Sequence, residues 1–218
     1  MTILMTSGGI LDGTKNLVKL NEEDLDMSDQ KRVEDILTKS QALLTGHFLL
    51  TSGRHADQYM QCAKVQQYPS ELETIAKVIA AGFAGDKIDI VVSPAMGGIV
   101  IGYELARQLG AKSIFTERVD GKMELRRGFE IPKGANVIIC EDVTTTGQST
   151  REVIEVAKAC GANIVGVGVM VDRTGGKLDL GVKFVSAYSR DIASYTAEEC
   201  PLCKEGLPLE KPGSRAIV

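Results

Sequence analysis

The run Val137-Ile138-Ile139-Cys140-Glu141-Asp142-Val143-Thr144-Thr145-Thr146-Gly147-Gln148-Ser149-Thr150 constrains this chain more than any other segment. Four apolar residues form a buried strand, and two adjacent acids stand at its carboxyl end. A hydroxyl-rich turn with a single Gly then opens a helix. In open α/β sheets, ligands bind where strands end. A turn entering a helix presents free N–H groups and the positive end of a dipole. Hydroxyls of Thr144, Thr145, Thr146, Ser149 and Thr150 add donors, and together these suit a phosphate monoester. Carboxylates would repel a phosphate, so the acids make sense facing a sugar diol or a hydrated Mg²⁺. A plain hydroxyl-capped helix is the competing reading, but two acids and so many hydroxyls exceed what a cap needs. The string contains no Gly-Lys-Ser/Thr and no spaced glycines, so it is neither a Walker loop nor a dinucleotide fingerprint.

The surrounding pattern fits an α/β chain with a mostly parallel central sheet flanked by helices. Helical spacing runs over Lys31 to Leu44 behind Ser28, and again from Pro69, with Leu72, Ile75, Ala76, Ile79 and Phe83 on one face. Strands are expected at Ile88–Val92, Ser113–Thr116, Asn136–Cys140, Asn163–Val171 and Lys183–Ala187. Helices are expected at Ile99–Leu109, closed by Gly110, and at Gly147–Ala159, closed by Gly161. Residues 46–63 look like short strands and turns. Residues 1–27 read as an extension, and 28–218 as one domain: a lobe over 28–70, a core over 71–190 and a C-terminal segment over 191–218. Asp120-Gly121 marks a protruding hairpin in a charged stretch from Glu117 to Lys133.

Length and composition remove several classes. With 218 residues, 44% hydrophobic and 25% charged, the chain can bury a core. A net charge of −4 and 5% aromatics without Trp argue against nucleic-acid binding. No apolar run approaches the ~20 residues of a membrane helix. Five cysteines, an odd number, with no signal-peptide pattern, point to a reducing cytoplasm. Cys200-Pro201-Leu202-Cys203 has metal-ligand spacing, but a four-ligand zinc site needs a second pair. His47 and His55, the two histidines, lie far off in sequence and read as surface or lobe-packing residues, with acid–base work as the alternative. The cysteine pair reads as a structural turn, with zinc and a redox disulfide as alternatives, and no protein metal ligand is assigned.

The loop closely resembles the phosphoribosyl-diphosphate motif of the type I phosphoribosyltransferases. Gly46-His47-Phe48-Leu49-Leu50-Thr51-Ser52-Gly53-Arg54, Ser93-Pro94-Ala95-Met96-Gly97-Gly98 and Val171-Asp172-Arg173 extend the likeness to the orotate branch, over roughly Val33 to Arg215. The resemblance implies a type I fold with an N-terminal hood, and transfer of ribosyl 5-phosphate from phosphoribosyl diphosphate to orotate, giving orotidine 5′-monophosphate and diphosphate, with Mg²⁺ as cofactor. Carried over by position, Val143, Thr144, Thr145, Thr146, Gly147, Gln148 and Ser149 hold the 5′-phosphate, while Glu141 and Asp142 bind the ribose hydroxyls. Gly97 and Gly98 let backbone approach the diphosphate. Arg173 pairs with the orotate carboxylate. Thr145 and the backbone at Tyr59 and Met60 face the pyrimidine. Arg118 and Lys122 are cations on a loop that closes over the other subunit of a homodimer. Lys122, Glu141 and Asp142 are the implied catalytic set.

Blander readings stand beside these: a plain turn at Gly97-Gly98, a surface ion pair for Arg173, core packing for Tyr59, and a turn cap for Asp172. The chain also departs from the family pattern. Val119, Glu124, Gly97 and Thr51 stand where better-known members carry cations, leaving Arg126 or Arg127 as replacements. In a two-residue hairpin, Arg118 and Lys122 point to opposite faces. A purine phosphoribosyltransferase and a non-catalytic sensor of phosphoribosyl diphosphate remain the rival functions.

Overall fold

The computed structural model describes residues 22–50 and 52–212. Its main sheet has six strands: β3 (Ile90–Pro94), β4 (Lys112–Val119), β5 (Lys122–Leu125), β6 (Asn136–Thr144), β7 (Asn163–Asp172) and β8 (Lys183–Ser189). Their order is β5-β4-β3-β6-β7-β8, all parallel except the edge strand β5. A parallel sheet needs cover on both faces, and its strands are correspondingly apolar. Alternate side chains divide the core into two layers. Val91, Ile138, Cys140 and Met170 meet α3 (Pro69–Ala81) and α4 (Gly98–Leu109). Ile90, Val92, Val137, Ile139, Val167 and Val169 meet Val153, Ile154 and Ala157 of α5 (Gln148–Ala159). Pro69 starts α3 where a missing N–H costs nothing.

A second sheet has the order β1-β2-β9, from β1 (Leu43–Leu49), β2 (His55–Met60) and β9 (Ser194–Tyr195). Chain ends therefore build this lobe together. Glu210 bonds to β1 twice, its N–H to His47 O at 2.8 Å and its O from Leu49 N at 2.8 Å. Arg54 donates to Ser194 Oγ at 2.9 Å. The short helix α2 (Ala63–Gln66) follows β2, and α6 (Pro201–Lys204) follows β9.

The parallel sheet, its flanking helices and the Asp120-Gly121 hairpin appear where the sequence places them. The first helix differs. Named α1, it spans Glu22–Lys39 instead of Lys31 to Leu44. Its end comes at Gln41, whose φ of 57° leaves helical geometry, and Leu43 and Leu44 enter β1. Buried Leu43 serves either element, so apolar spacing alone could not separate them. The reading of residues 1–27 as an extension lies outside the described residues up to 21; from Glu22 the backbone is helical. β6 also runs four residues further than Cys140, so both acids lie within the strand.

Close layer packing depends on glycines in β7. A Cβ on Gly168 would come 2.5 Å from Ile79 Cγ2, a fully buried side chain of α3. We expect Gly168→Ala to lower stability by about 1–3 kcal/mol through overpacking, seen as a lower urea midpoint at constant slope. An unchanged midpoint would mean that α3 is not seated this closely.

Candidate active site

The strand-to-helix bend between β6 and α5 forms a concavity of about 170 Å³. Glu141, Val143, Thr144, Thr145, Thr146, Gly147, Gln148 and Ser149 line it. Gly147 takes φ 73°, in the left-handed region that favours Gly. The first bond of α5 runs from Arg151 N to Gly147 O at 2.9 Å. N–H groups ahead of Arg151 are thus free for a ligand, at the positive end of the helix. Among the described residues, no hydroxyl of Thr145, Thr146 or Ser149 has a side-chain partner, whereas Thr150 Oγ1 is committed to the Glu141 carboxylate. Helix capping does not explain the run: Gly147 caps α5 without a side-chain hydrogen bond.

The two acids face opposite sides of β6, as neighbours on a strand must. Burial pushes the Glu141 carboxyl up to about 7, against the bond from Thr150. Burial also raises Asp142, opposed by the backbone N–H of Val143. Asp142 abuts the turn after β3. A Cβ on Gly97 would lie 2.5 Å from Asp142 Oδ2, and one on Gly98 would lie 2.9 Å from Cys140 O. A side chain at Gly97 would require that carboxylate to move, which sets Gly97 apart from the cation that the family pattern has there. Gln66 pins the same turn from α2. Its Nε2 donates to Gly97 O at 3.0 Å, and its Oε1 accepts from Ile101 N at 3.1 Å. Sequence reading missed Gln66, because nothing local marks a glutamine that acts 31 residues away.

Arg173 follows β7, beside the loop, and its N–H donates to Thr144 O at 3.0 Å. Burial lowers its guanidinium, with Cys62 and Tyr59 the ionisable groups close enough to act on it. It makes no ion pair among the described residues. Its buried Nε has no partner, and neither has buried Thr144 Oγ1. Orphaned polar atoms of this kind call for a ligand or ordered water. Asp172 is fully buried and does cap the following turn. Burial opposes its charge, yet bonds from Thr174 N at 2.8 Å, Thr174 Oγ1 at 2.7 Å, Gly176 N at 2.7 Å and Ser189 Oγ at 2.9 Å hold the carboxyl below its ordinary range. Asp172 therefore fixes the turn that carries Arg173. Met60 has its side chain in the core, so only its backbone can face a ligand; Tyr59 is half-buried, 5.9 Å from the Phe48 ring.

Arg118 and Lys122 do not reach this concavity. Arg118 pairs with Met123 and Val119 with Lys122 across the hairpin, so the two cations take opposite faces. Arg118 is tied to Glu152 of α5 and donates to Gly121 O at 2.7 Å. Arg127 is also engaged, through two bonds to Glu117 at 2.7 and 2.9 Å.

Elsewhere, His47, His55, Cys200 and Cys203 meet in one cluster. Their separation in sequence is therefore no argument against a second ligand pair. Neither histidine is a surface residue, at 4% and 5% exposure.

Comparison with known proteins agrees with this geometry. A family profile described as phosphoribosyl transferase domain matches residues 64–191. An orotate phosphoribosyltransferase of Caldanaerobacter subterraneus subsp. tengcongensis is 51% identical over 189 residues, covering 87% of this chain and all of that protein. One from Chlorobium phaeobacteroides is 53% identical over 188 residues, covering 86% of this chain and 97% of its own. A crystal structure of orotate phosphoribosyltransferase from Aeropyrum pernix superposes with a TM-score of 0.63 at 27% identity, over 72% of this chain and 93% of that one.

Glu141 gives the site a pH signature. Unfolded, its carboxyl titrates near 4.5; folded, near 7. The folded state therefore loses stability as pH rises through that window, because only the unfolded chain releases the proton readily. Glu141→Gln removes this penalty. Its stability gain over the parent, from urea unfolding without ligand, should be larger at pH 8 than at pH 5. A gain independent of pH would refute the raised carboxyl.

Proposed function

The chain belongs to the phosphoribosyl transferase family, as an orotate phosphoribosyltransferase of pyrimidine biosynthesis, and from that premise we propose how its residues carry the reaction. The C1–oxygen bond to diphosphate breaks, a C1–N1 bond to orotate forms, and the N1 proton leaves. The β6–α5 bend receives the 5′-phosphate through backbone N–H groups and the hydroxyls of Thr145, Thr146 and Ser149. Glu141 and Asp142 accept hydrogen bonds from the ribose hydroxyls and place negative charge beside a sugar that becomes cationic in the transition state. Backbone at Gly97 and Gly98 approaches the diphosphate. Arg173 binds the orotate carboxylate, with Thr145 and the backbone at Tyr59 and Met60 around the ring. The observation that carries this reading is Arg173, half-buried with an unpartnered buried Nε, beside a phosphate-sized concavity. A purine offers Arg173 no carboxylate, which favours orotate over the purine reading.

Mg²⁺ fits the same place. The candidate donors are hard carboxylate oxygens, Asp142 on the Gly97 side of β6 or Glu141 on the α5 side, whose burial without a countercharge raises both proton affinities. Few protein ligands are needed, since Mg²⁺ keeps water and substrate oxygens. When bound, the ion offsets charge on the departing diphosphate.

Arg118 is tied to α5, and neither Arg118 nor Lys122 lines the concavity of its own chain, which supports service to a partner subunit's site in a homodimer. Exposed Met96, Val100 and Tyr103, at 81%, 46% and 63%, supply an apolar face for that contact. Among the described residues, no helix is long and apolar enough to cross a membrane. A cytoplasmic setting completes the reading.

With phosphoribosyl diphosphate, Mg²⁺ and orotate, the protein should consume orotate absorbance; no turnover at saturation would reject the assignment. Arg173→Ala should raise KM for orotate about 10–100-fold, the worth of hydrogen bonds to a charged group, while KM for phosphoribosyl diphosphate stays near the parent value. Equal weakening of both substrates would remove Arg173 from the carboxylate role.

A further inference from the structure

A compact set of soft ligand atoms lies apart from the reaction centre. His47 Nε2 is 3.0 Å from His55 Nδ1, 3.5 Å from Cys200 Sγ and 3.6 Å from Cys203 Sγ. Cys203 Sγ is 3.2 Å from His55 Nδ1, and all four atoms fall within 4.8 Å of one another. A tetrahedral zinc with ordinary bond lengths sets N···N, N···S and S···S edges of roughly 3.3, 3.5 and 3.8 Å. Those four separations are within a few tenths of an ångström of that tetrahedron, and the remaining two are no longer than 4.8 Å. Hydrogen bonding among four such groups does not require this convergence of both nitrogens and both sulfurs on one point.

The surrounding structure aims the ligands. The β1–β2 pairing shifts register between Thr45 and Phe48, and a bulge of that kind redirects side chains. It leaves both His47 and Phe48 buried. His47 Nδ1 lies 2.9 Å from Leu207 O. A carbonyl can only accept, so Nδ1 carries the proton and Nε2 keeps its lone pair turned inward. Such a bond to the second ring nitrogen is the usual support of a metal-bound histidine. Cys200 and Cys203 enter from the first turn of α6, at the two-residue spacing of zinc-binding cysteine pairs. All five cysteines are free of disulfides.

We propose that His47, His55, Cys200 and Cys203 form a closed Cys₂His₂ zinc site that fastens the C-terminal segment to the β1–β2 lobe. Each thiol releases one proton on binding. Two thiolates then neutralise the dication, so a site with three buried ligands, His47, His55 and Cys200, carries no net charge. Four protein ligands leave no position for substrate, which makes the site structural. Along β2, His55 lies about 13 Å from Tyr59 at the ordinary strand rise, so the ion would brace one end of a strand whose other end faces the pyrimidine. The inference stands whether or not orotate is the substrate.

The test is metal content of the full chain, purified without chelator from zinc-supplemented medium. About one zinc per chain is expected, with cobalt exchange giving tetrahedral d–d bands and thiolate-to-cobalt charge transfer. Cys203→Ala and His55→Gln should each lose the ion, and the control Cys160→Ser should retain it. Chelation should speed tryptic cleavage after Lys204 at least about tenfold by releasing the segment. The proposal is overturned by metal-free protein with all thiols reduced, by a Cys200–Cys203 disulfide, by another metal at one equivalent, or by full zinc retention in both ligand variants. If either variant fails to fold, the parent's stoichiometry and cobalt spectrum still decide.

Discussion

Two carboxyl groups held in the carboxyl end of a buried strand are the condition around which the site is arranged. Glu141 and Asp142 would prefer water, and their displacement toward protonation measures how far the fold has withheld it. The surroundings answer in part. Thr150 donates to one acid, and backbone N–H of Val143 to the other. Glycine at position 97 removes the side chain that would otherwise strike Asp142. What is left over is a demand for donors or cations.

The scaffold meets this demand by setting rigid elements behind short ones. β3, β6 and β7 are apolar on both faces and carry the turns at Gly97, Thr145 and Arg173 to neighbouring strand ends. Asp172 spends four hydrogen bonds on holding one of those turns, so Arg173 is placed by backbone as much as by its own contacts. Gln66 does the same for the turn at Gly97. Asp172 and Gln66 thus define where Arg173 and the Gly97 turn can stand.

Much of this was legible in the chain, because the signals were local. An apolar strand, two acids, hydroxyls and one Gly sit within a single bend, and the periodic helices and strands around it follow from burial on two faces. The Asp120-Gly121 turn needed only two residues to declare itself, at φ 47° and 82°. What was not legible is non-local. Gln66 resembles any surface glutamine until α4 is beside it. Leu43 and Leu44 fit either a helix or a strand, and a left-handed Gln41 decided between them. His47 lies 153 residues from Cys200, and their meeting depends on a lobe that draws on both ends of the chain.

That lobe has a consequence for how the chain comes into being. The β1–β2 hairpin leaves the ribosome early, yet Ser194, which Arg54 grips, lies 140 residues later. At about 5–20 residues per second, the hairpin waits roughly 7–28 s with its open edge exposed. Throughout synthesis of the catalytic sheet, the nascent protein must therefore carry a half-built appendage, and the emergence of Ser194, Tyr195 and Glu210 is what completes it.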